Sequence, residues 1–467
     1  MLFSVVSSMN DNKSPLFLYI IILSQFAAPF MFSGVGVTLP SIGHDFNADA
    51  VSLGLIETIY LGSSAAFLLP MGKLGDMFDK KLLFKLGLGF FALCTLLIGF
   101  VPSITWMLVV RFFQGIASAA FAATSMAIIT EVVPPQNRGK AFGMSIGAIY
   151  AGLASGPFIS GIITQALSWH WVYWISFIPL AIATFFSSTS IHSEAVSKTS
   201  SKKAIFDYLG SVLIVVSLML LIFGGALLSR SHVGYWLIAA GIVVAAGFVK
   251  LERHSANPLI DIRALIYNVK LRESLLIQML IYSSAFGTTF LFSLYLQILR
   301  GYDAEIAGRI LIVGSVVMAC LAPFAGRLSD KYSPRVFATV GTGSILISVL
   351  LATQISNTSS LTYIIAILLF QGVGFALFSS PNMTIIMSSV DKSKTSVASA
   401  IAAKTRSLGM VMSMLVTTVV TSIMIGDGEL KYHKAAFLHV MTLSFTVFAV
   451  FAGASVLLGG YSLLKRK

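Results

Sequence analysis

Fourteen apolar runs, each long enough to cross a bilayer, fill this chain almost end to end. A membrane helix needs about 20 mostly apolar residues, because it must span a hydrocarbon core about 30 Å thick. The runs fall at 16–37, 51–71, 82–101, 104–131, 141–165, 170–190, 206–229, 234–250, 274–298, 306–326, 336–354, 361–388, 398–424 and 435–462. No soluble domain separates them; the longest polar connections, near 191–205 and 251–272, are both short. The residue balance agrees, with 57% hydrophobic and only 10% charged, against about 25% charged in soluble domains. A soluble enzyme and a disordered chain are both excluded. The chain is expected to be an all-α integral membrane protein whose first run is a retained helix, since no signal-type cleavage site follows it.

Charge placement orients these runs. A net charge of +13 would suggest nucleic acid in a soluble protein, but here the basic residues lie between apolar runs, where they face cytosol and anionic headgroups. With both termini cytoplasmic, the inside segments hold 25 of the 31 Lys and Arg residues and the outside segments hold 5, Arg111 being left within a run. The opposite orientation inverts that ratio. Cys94 and Cys320 lie 226 residues apart in separate runs, so no disulfide framework or thiolate metal site is expected.

An internal repeat divides the chain. Residues 72–81 read GKLGDMFDKK and residues 326–335 read GRLSDKYSPR, an offset of 254 residues. At an average of about 33 residues per run, that offset is eight helices rather than six. The expected organisation is a polar N-terminus (1–15), a six-helix bundle (16–190), two extra helices with linkers (191–272) and a second six-helix bundle with a short basic tail (273–467). Transporters built from such halves place their substrate between them, near mid-membrane.

Four features carry candidate chemistry. Arg111 lies about seven residues, or about 10 Å, into the fourth helix. Glu57 lies at a matching depth in the second, which runs the same way. Intramembrane charges are costly and tend to pair, so the two are expected to interact, directly or through water, with Glu57 exchanging a proton. The other reading of Glu57 is an outer-rim residue reaching the headgroups. Asp76 and Asp330, each four residues after a helix-end glycine (Gly72, Gly326) and followed by bases such as Lys80 and Lys81, are either gating latches or solvated loop carboxylates. Gly147, Gly152, Gly156 and Gly161 make a flat face that lets helices approach closely, and Pro157 can bend that helix. Phe30, Tyr150, Tyr282, Phe286 and Phe375 are candidate pocket walls; Gln25, Gln165, Gln278 and Gln371 could bond either substrate or a neighbouring helix. WHWVYW at 169–174 reads as an outer-interface aromatic belt.

These residues also carry a resemblance. The chain resembles the major facilitator superfamily over essentially its whole length, in particular the 14-helix drug:proton antiporters of the EmrB/QacA type. GKLGDMFDKK is similar to that family's loop between helices 2 and 3, with Met77 in place of a base and Asp79 in place of a glycine. Asp79 is expected to keep the turn, because Asp tolerates the left-handed conformation. LVVRFFQGIASAA at 108–120 is similar to the helix-4 pattern, matching at Arg111, Gln114 and Gly115. GLASGPFISG at 152–161 is similar to the helix-5 antiporter signature, matching at Gly152, Gly156, Pro157 and Gly161. DYLG at 207–210 and PLIDIRAL at 258–265 are similar to the flanks of the extra helix pair. The first helix ends VTLP but carries no charge before it, so the resemblance places no proton site there.

The resemblance implies a monomeric, proton-driven exporter of amphipathic or hydrophobic compounds in the cell membrane. It implies alternating access, with Asp76 bonding the start of the helix near 398. There is no GxxxxGK[ST] phosphate loop and no HExxH, so neither ATP, a cofactor nor a metal is expected, and no enzyme. The charge-poor pathway favours apolar or cationic cargo. The nearest rivals are transport of a specific metabolite (a siderophore, peptide or sugar) in either direction, and a transport-inactive membrane sensor.

Overall fold

The computed structural model describes residues 14–134, 138–190, 207–229, 231–255, 259, 267–390, 395–426 and 428–464. Among these residues there are fourteen helices long and apolar enough to cross a membrane. The first bundle comprises α1 (Ser14–Phe46), α2 (Ala50–Met77), α3 (Lys80–Ile98), α4 (Ile104–Val132), α5 (Arg138–Ala166) and α6 (Trp169–Ser190). The extra pair is α7 (Tyr208–Ala226) and α8 (Val233–His254). The second bundle comprises α9 (Val269–Leu299), α10 (Ala304–Lys331), α11 (Pro334–Thr353), α12 (Leu361–Ser388), α13 (Thr395–Met424) and α14 (Lys434–Leu464). Helices dominate because hydrocarbon offers no hydrogen bonds, so each backbone must satisfy itself.

Local chemistry sets the helix ends. Asp49 caps α2 by accepting from the Ser52 N–H at 2.8 Å, and Ser103, Asp207, Asn268, Asp303 and Ser360 cap α4, α7, α9, α10 and α12 in the same way. α1 runs past the predicted limit of 37 because Ser41–Phe46 continue the helix beyond the apolar run. It stops where Asn47 turns left-handed at φ 48°. Two expectations about the repeated turn are corrected. Asp76 and Asp330 lie within the last turns of α2 and α10, not beyond them, with their side chains outside the described residues. Asp79 is extended (φ −73°), not left-handed, and it caps α3 by accepting from the Lys81 N–H at 2.8 Å. The departure from glycine thus supplies a helix cap.

Packing repeats with the eight-helix offset. α1 packs on α5, α2 and α3 on α4, and α6 on α1 and α3; eight helices later α9 packs on α13, α10 and α11 on α12, and α14 on α9 and α11. The contact points repeat too. Gly87 of α3 meets Ala117 and Ala120 of α4, while Gly341 of α11, 254 residues on, meets Gly374 of α12. Small residues let these backbones touch, which in lipid replaces the missing hydrophobic drive. The two bundles then meet along two seams, α5 against α10 and α2 against α13. α7 lies across the second seam, touching both α2 and α13, and α8 packs on α7. This is two six-helix bundles plus two extra central helices, the major-facilitator arrangement.

Candidate functional site

A cavity of about 960 Å³ lies between the bundles. α1, α2 and α5 form one wall and α9, α10, α12 and α13 the other. Its lining is largely aromatic and aliphatic, including Phe32, Phe286, Phe290, Phe375, Leu311 and Met410. Phe32 and Phe286 stack across the seam with centroids 4.8 Å apart. Glu57 is the one acid among the lining residues, with Ser33, Tyr150, Tyr282, Thr289 and Gln371 as polar company.

Glu57 is 3% exposed and sits opposite Gly36, where an added Cβ would lie 3.1 Å from its Oε1. The residue after it, Thr58, shares a 2.9 Å hydrogen bond with Thr418 of α13. The acid therefore stands one residue from a direct polar tie between the bundles. It faces the cavity rather than an outer rim.

Arg111 is 1% exposed and does not form the predicted direct pair with Glu57: among the described residues no carboxylate lies within 4.0 Å of it. Its guanidinium instead donates to Gln114 Oε1 at 2.9 Å and to the Tyr173 hydroxyl at 3.1 Å. Gln114 passes the chain on, donating to Thr95 at 2.9 Å. The rings of Tyr60 and Tyr173 lie 5.3 and 5.6 Å from the guanidinium carbon, near enough for cation–π attraction. Arg111 Nε has no hydrogen-bond partner.

Tyr173 was hidden in the WHWVYW run. At helical period only part of that run can face lipid: Trp171 is exposed, but Trp169 and Tyr173 are buried. Trp169 donates to Asp45 at 2.7 Å, and Tyr173 reaches Arg111. The aromatic-belt reading is therefore corrected for Trp169 and Tyr173. Arg111 is also not alone as a basic residue inside a span. α13 begins at Thr395, so Arg406 lies three turns into the helix, one turn before Gly409, which packs on Tyr282 of α9.

The remaining predicted residues divide by role. Gly152 and Gly156 bring α5 onto α1, an added Cβ on Gly152 meeting the Phe26 carbonyl and one on Gly156 meeting Ser33 and Phe30. Gly161 and Pro157 face α10, with Gly161 against Ala304 and Gly308 against the Pro157 carbonyl. A Cβ on Gly147 would meet nothing within 4 Å. Gly72 lies against Ala123 of α4, and Gly326 against Ser380 of α12. Lys80 pairs with Glu131 at 2.9 Å, and Lys81 contributes its backbone N–H to the Asp79 cap. Gln371 lines the cavity and donates to the Ala285 carbonyl at 2.8 Å, whereas Gln278 donates to Ala402 at 2.5 Å as an interhelical tie. Phe30 stacks on Phe26 away from the cavity lining.

Contacts between the bundles concentrate beyond the cavity, toward the predicted outer end. Ser293 donates to the Gly36 carbonyl at 2.6 Å and Gln297 to the Val37 carbonyl at 3.0 Å. The Ala50 N–H donates to the Gly428 carbonyl at 3.2 Å. The described contacts therefore close the predicted outer side.

The comparisons with known proteins match this architecture. A family model described as Major Facilitator Superfamily matches residues 21–414. The riboflavin transporter RibZ of Clostridioides difficile (strain 630) is 27% identical over 397 residues, covering 85% of this chain and 85% of that protein. The multidrug resistance protein Stp of Mycobacterium tuberculosis (strain CDC 1551 / Oshkosh) is 24% identical over 392 residues, covering 82% and 71% respectively. Among solved structures, a bacterial homolog of the human lysosomal transporter Spinster, inward-facing and unoccupied, has a TM-score of 0.69 at 15% identity and covers 98% of each chain. Family and neighbours are transporters, not enzymes, and the helices make this a multi-pass membrane protein. On the match across most of its length, the chain belongs to the Major Facilitator Superfamily.

Proposed function

We propose that this secondary transporter is a proton-coupled exporter of amphipathic or hydrophobic compounds, working by alternating access. The observation that carries the reading is the position of Glu57, a buried carboxyl in the wall of a largely apolar cavity, one residue from the Thr58–Thr418 tie. When the cavity faces outward, Glu57 takes up a proton. When it faces inward, cargo entry and proton loss share that wall. Arg111, held by Gln114 and Tyr173, is the fixed charge against which that proton is exchanged.

The bundles at 16–190 and 273–467 rock against each other, with 191–272 carrying the extra pair. Asp76 and Asp330, beside Gly72 and Gly326 and with Lys80 and Lys81 nearby, latch the predicted inner side when the cavity opens outward. Gly152, Gly156, Pro157 and Gly161 keep α5 close enough to α1 and α10 for the seam to slide. The protein acts as a monomer in the cell membrane with both termini cytoplasmic, as its basic residues predict. Multidrug resistance proteins among the relatives support efflux.

Everted vesicles test the proton role. Glu57→Gln should abolish gradient-driven uptake of an exported compound while the protein still inserts and folds; unchanged flux would refute it. A second reading, transport of one metabolite, is favoured by the relative named as a riboflavin transporter. Growth with a panel of toxic compounds, with and without the gene, separates the two.

A further inference from the structure

Beside the cavity, α13 carries a second basic side chain within a span, one turn before the lining residue Met410. Arg406 stands eleven residues into α13, about 16 Å from the helix start at about 1.5 Å per residue. Tyr150 lies twelve residues into α5 and Tyr282 thirteen into α9. These three helices start at the predicted inner end, so the side chains share one level. Gly409 and Met410, one turn beyond Arg406 on the same face of α13, pack on Tyr282 and line the cavity respectively. The Tyr282 ring lies 5.4 Å from that of Phe375, and an added Cβ on Gly409 would sit 2.9 Å from Tyr282 Cβ, which fixes α13 against α9 at this height. Tyr150, Tyr282 and Met410, one turn beyond Arg406, all line the cavity. Helical side chains lean toward the helix N-terminus, so Arg406 reaches toward the predicted inner mouth.

A guanidinium within a span is costly without a counter-charge. Among the described residues no carboxylate lies within 4.0 Å of Arg406. The described residue packed beside it on α9 is Tyr282, which offers a dipole and no charge. Unlike Arg111, Arg406 is half-buried rather than sealed, so a ligand can reach it. We propose that Arg406, with the hydroxyls of Tyr282 and Tyr150, receives the anionic group of an organic acid whose apolar body occupies the phenylalanine-lined cavity. The assignment rests on the transporter reading and names its substrate class. It also replaces the expectation of apolar or cationic cargo, which arose from reading the pathway as charge-poor. The planar guanidinium suits a carboxylate or sulfonate through paired N–H donors.

The test uses two fluorescent probes that share one aromatic body. 8-Anilinonaphthalene-1-sulfonate carries the anion and N-phenyl-1-naphthylamine does not. Saturable binding to the full chain in nanodiscs is measured after subtracting empty nanodiscs. Arg406→Gln should weaken the sulfonate probe about 10-fold or more and leave the uncharged probe within about 2-fold. Arg406→Lys, which keeps the charge, should retain most of the sulfonate affinity, and Tyr282→Phe should cost a few-fold for that probe. Equal losses for both probes in Arg406→Gln and Arg406→Lys would make Arg406 a structural anchor and overturn the proposal. So would an unchanged preference, or the absence of saturable sulfonate binding by the wild type. If the sulfonate preference fails while Glu57-dependent flux persists, the proton-coupled reading stands without this site. If flux is absent as well, that reading fails too.

Discussion

The two seams between the bundles are related by the internal repeat, yet they are built differently. At α5–α10 the contact is backbone on backbone: Gly161 against Ala304, and Gly308 against the Pro157 carbonyl. At α2–α13 hydroxyls do the joining, through Thr58 and Thr418 at 2.9 Å, and α7 covers the outside. The Ser422 hydroxyl accepts from the Ser229 N–H at 3.1 Å and lies 3.1 Å from the Ser229 hydroxyl, tying α13 to the connection after α7. Gly62 meets Ile222 and Gly225 meets Val419, so α7 is fitted to both bundles. A glycine seam depends on steric fit and tolerates little added volume. A hydroxyl seam can exchange partners as helices slide. The acid Glu57 sits on the hydroxyl seam, one residue from the Thr58–Thr418 contact.

The largest effect should come from filling the glycine seam. Gly161→Val places a branched side chain against the Ala304 carbonyl, and overpacking of this kind costs about 1–3 kcal/mol. The population with the predicted outer side closed should fall by about 10-fold or more. Spin-label distances between the predicted outer ends of α5 and α10 would report it; an unchanged distance distribution would remove the steric distinction. A smaller effect should follow Thr58→Val, which removes one interhelical hydrogen bond, worth about 0.6 kcal/mol and at most about 1.7 kcal/mol. The same closed population should shift only a few-fold, read as accessibility of a cysteine placed at the predicted outer end of α2. The smallest should be Ser422→Ala. Its bonds join α13 to the extra pair rather than to α2, so melting in detergent should fall slightly with no change in the seam distance.

Much of this fold is legible in the sequence, for a plain physical reason. Hydrocarbon demands long apolar helices, and all fourteen runs become helices. The repeated glycines at a 254-residue offset, Gly72 and Gly326, lie against α4 and α12, helices that are themselves eight apart in the chain. The depths of Glu57 and Arg111 were readable by counting, but their partners were not. Arg111 finds Tyr173, 62 residues away on α6, and that pairing depends on helix rotation, which spacing along one helix does not give. The sequence reading counts Arg406 with the cytoplasmic bases although it falls inside the run at 398–424, so its depth goes unread. In the protein residues 395–404 are the start of α13, packed against α9 and α2, where a polar helix face needs no lipid contact. Asp76 and Asp330 are placed on their helices, with their side chains outside the described residues.

The most direct test of proton exchange at Glu57 is proton release by the purified protein in weakly buffered detergent solution. An exported amphipathic compound should displace about one proton per molecule bound from the wild type and none from Glu57→Gln, while the variant still binds the compound. Equal proton release from both proteins would contradict the assignment of Glu57 as the coupling acid.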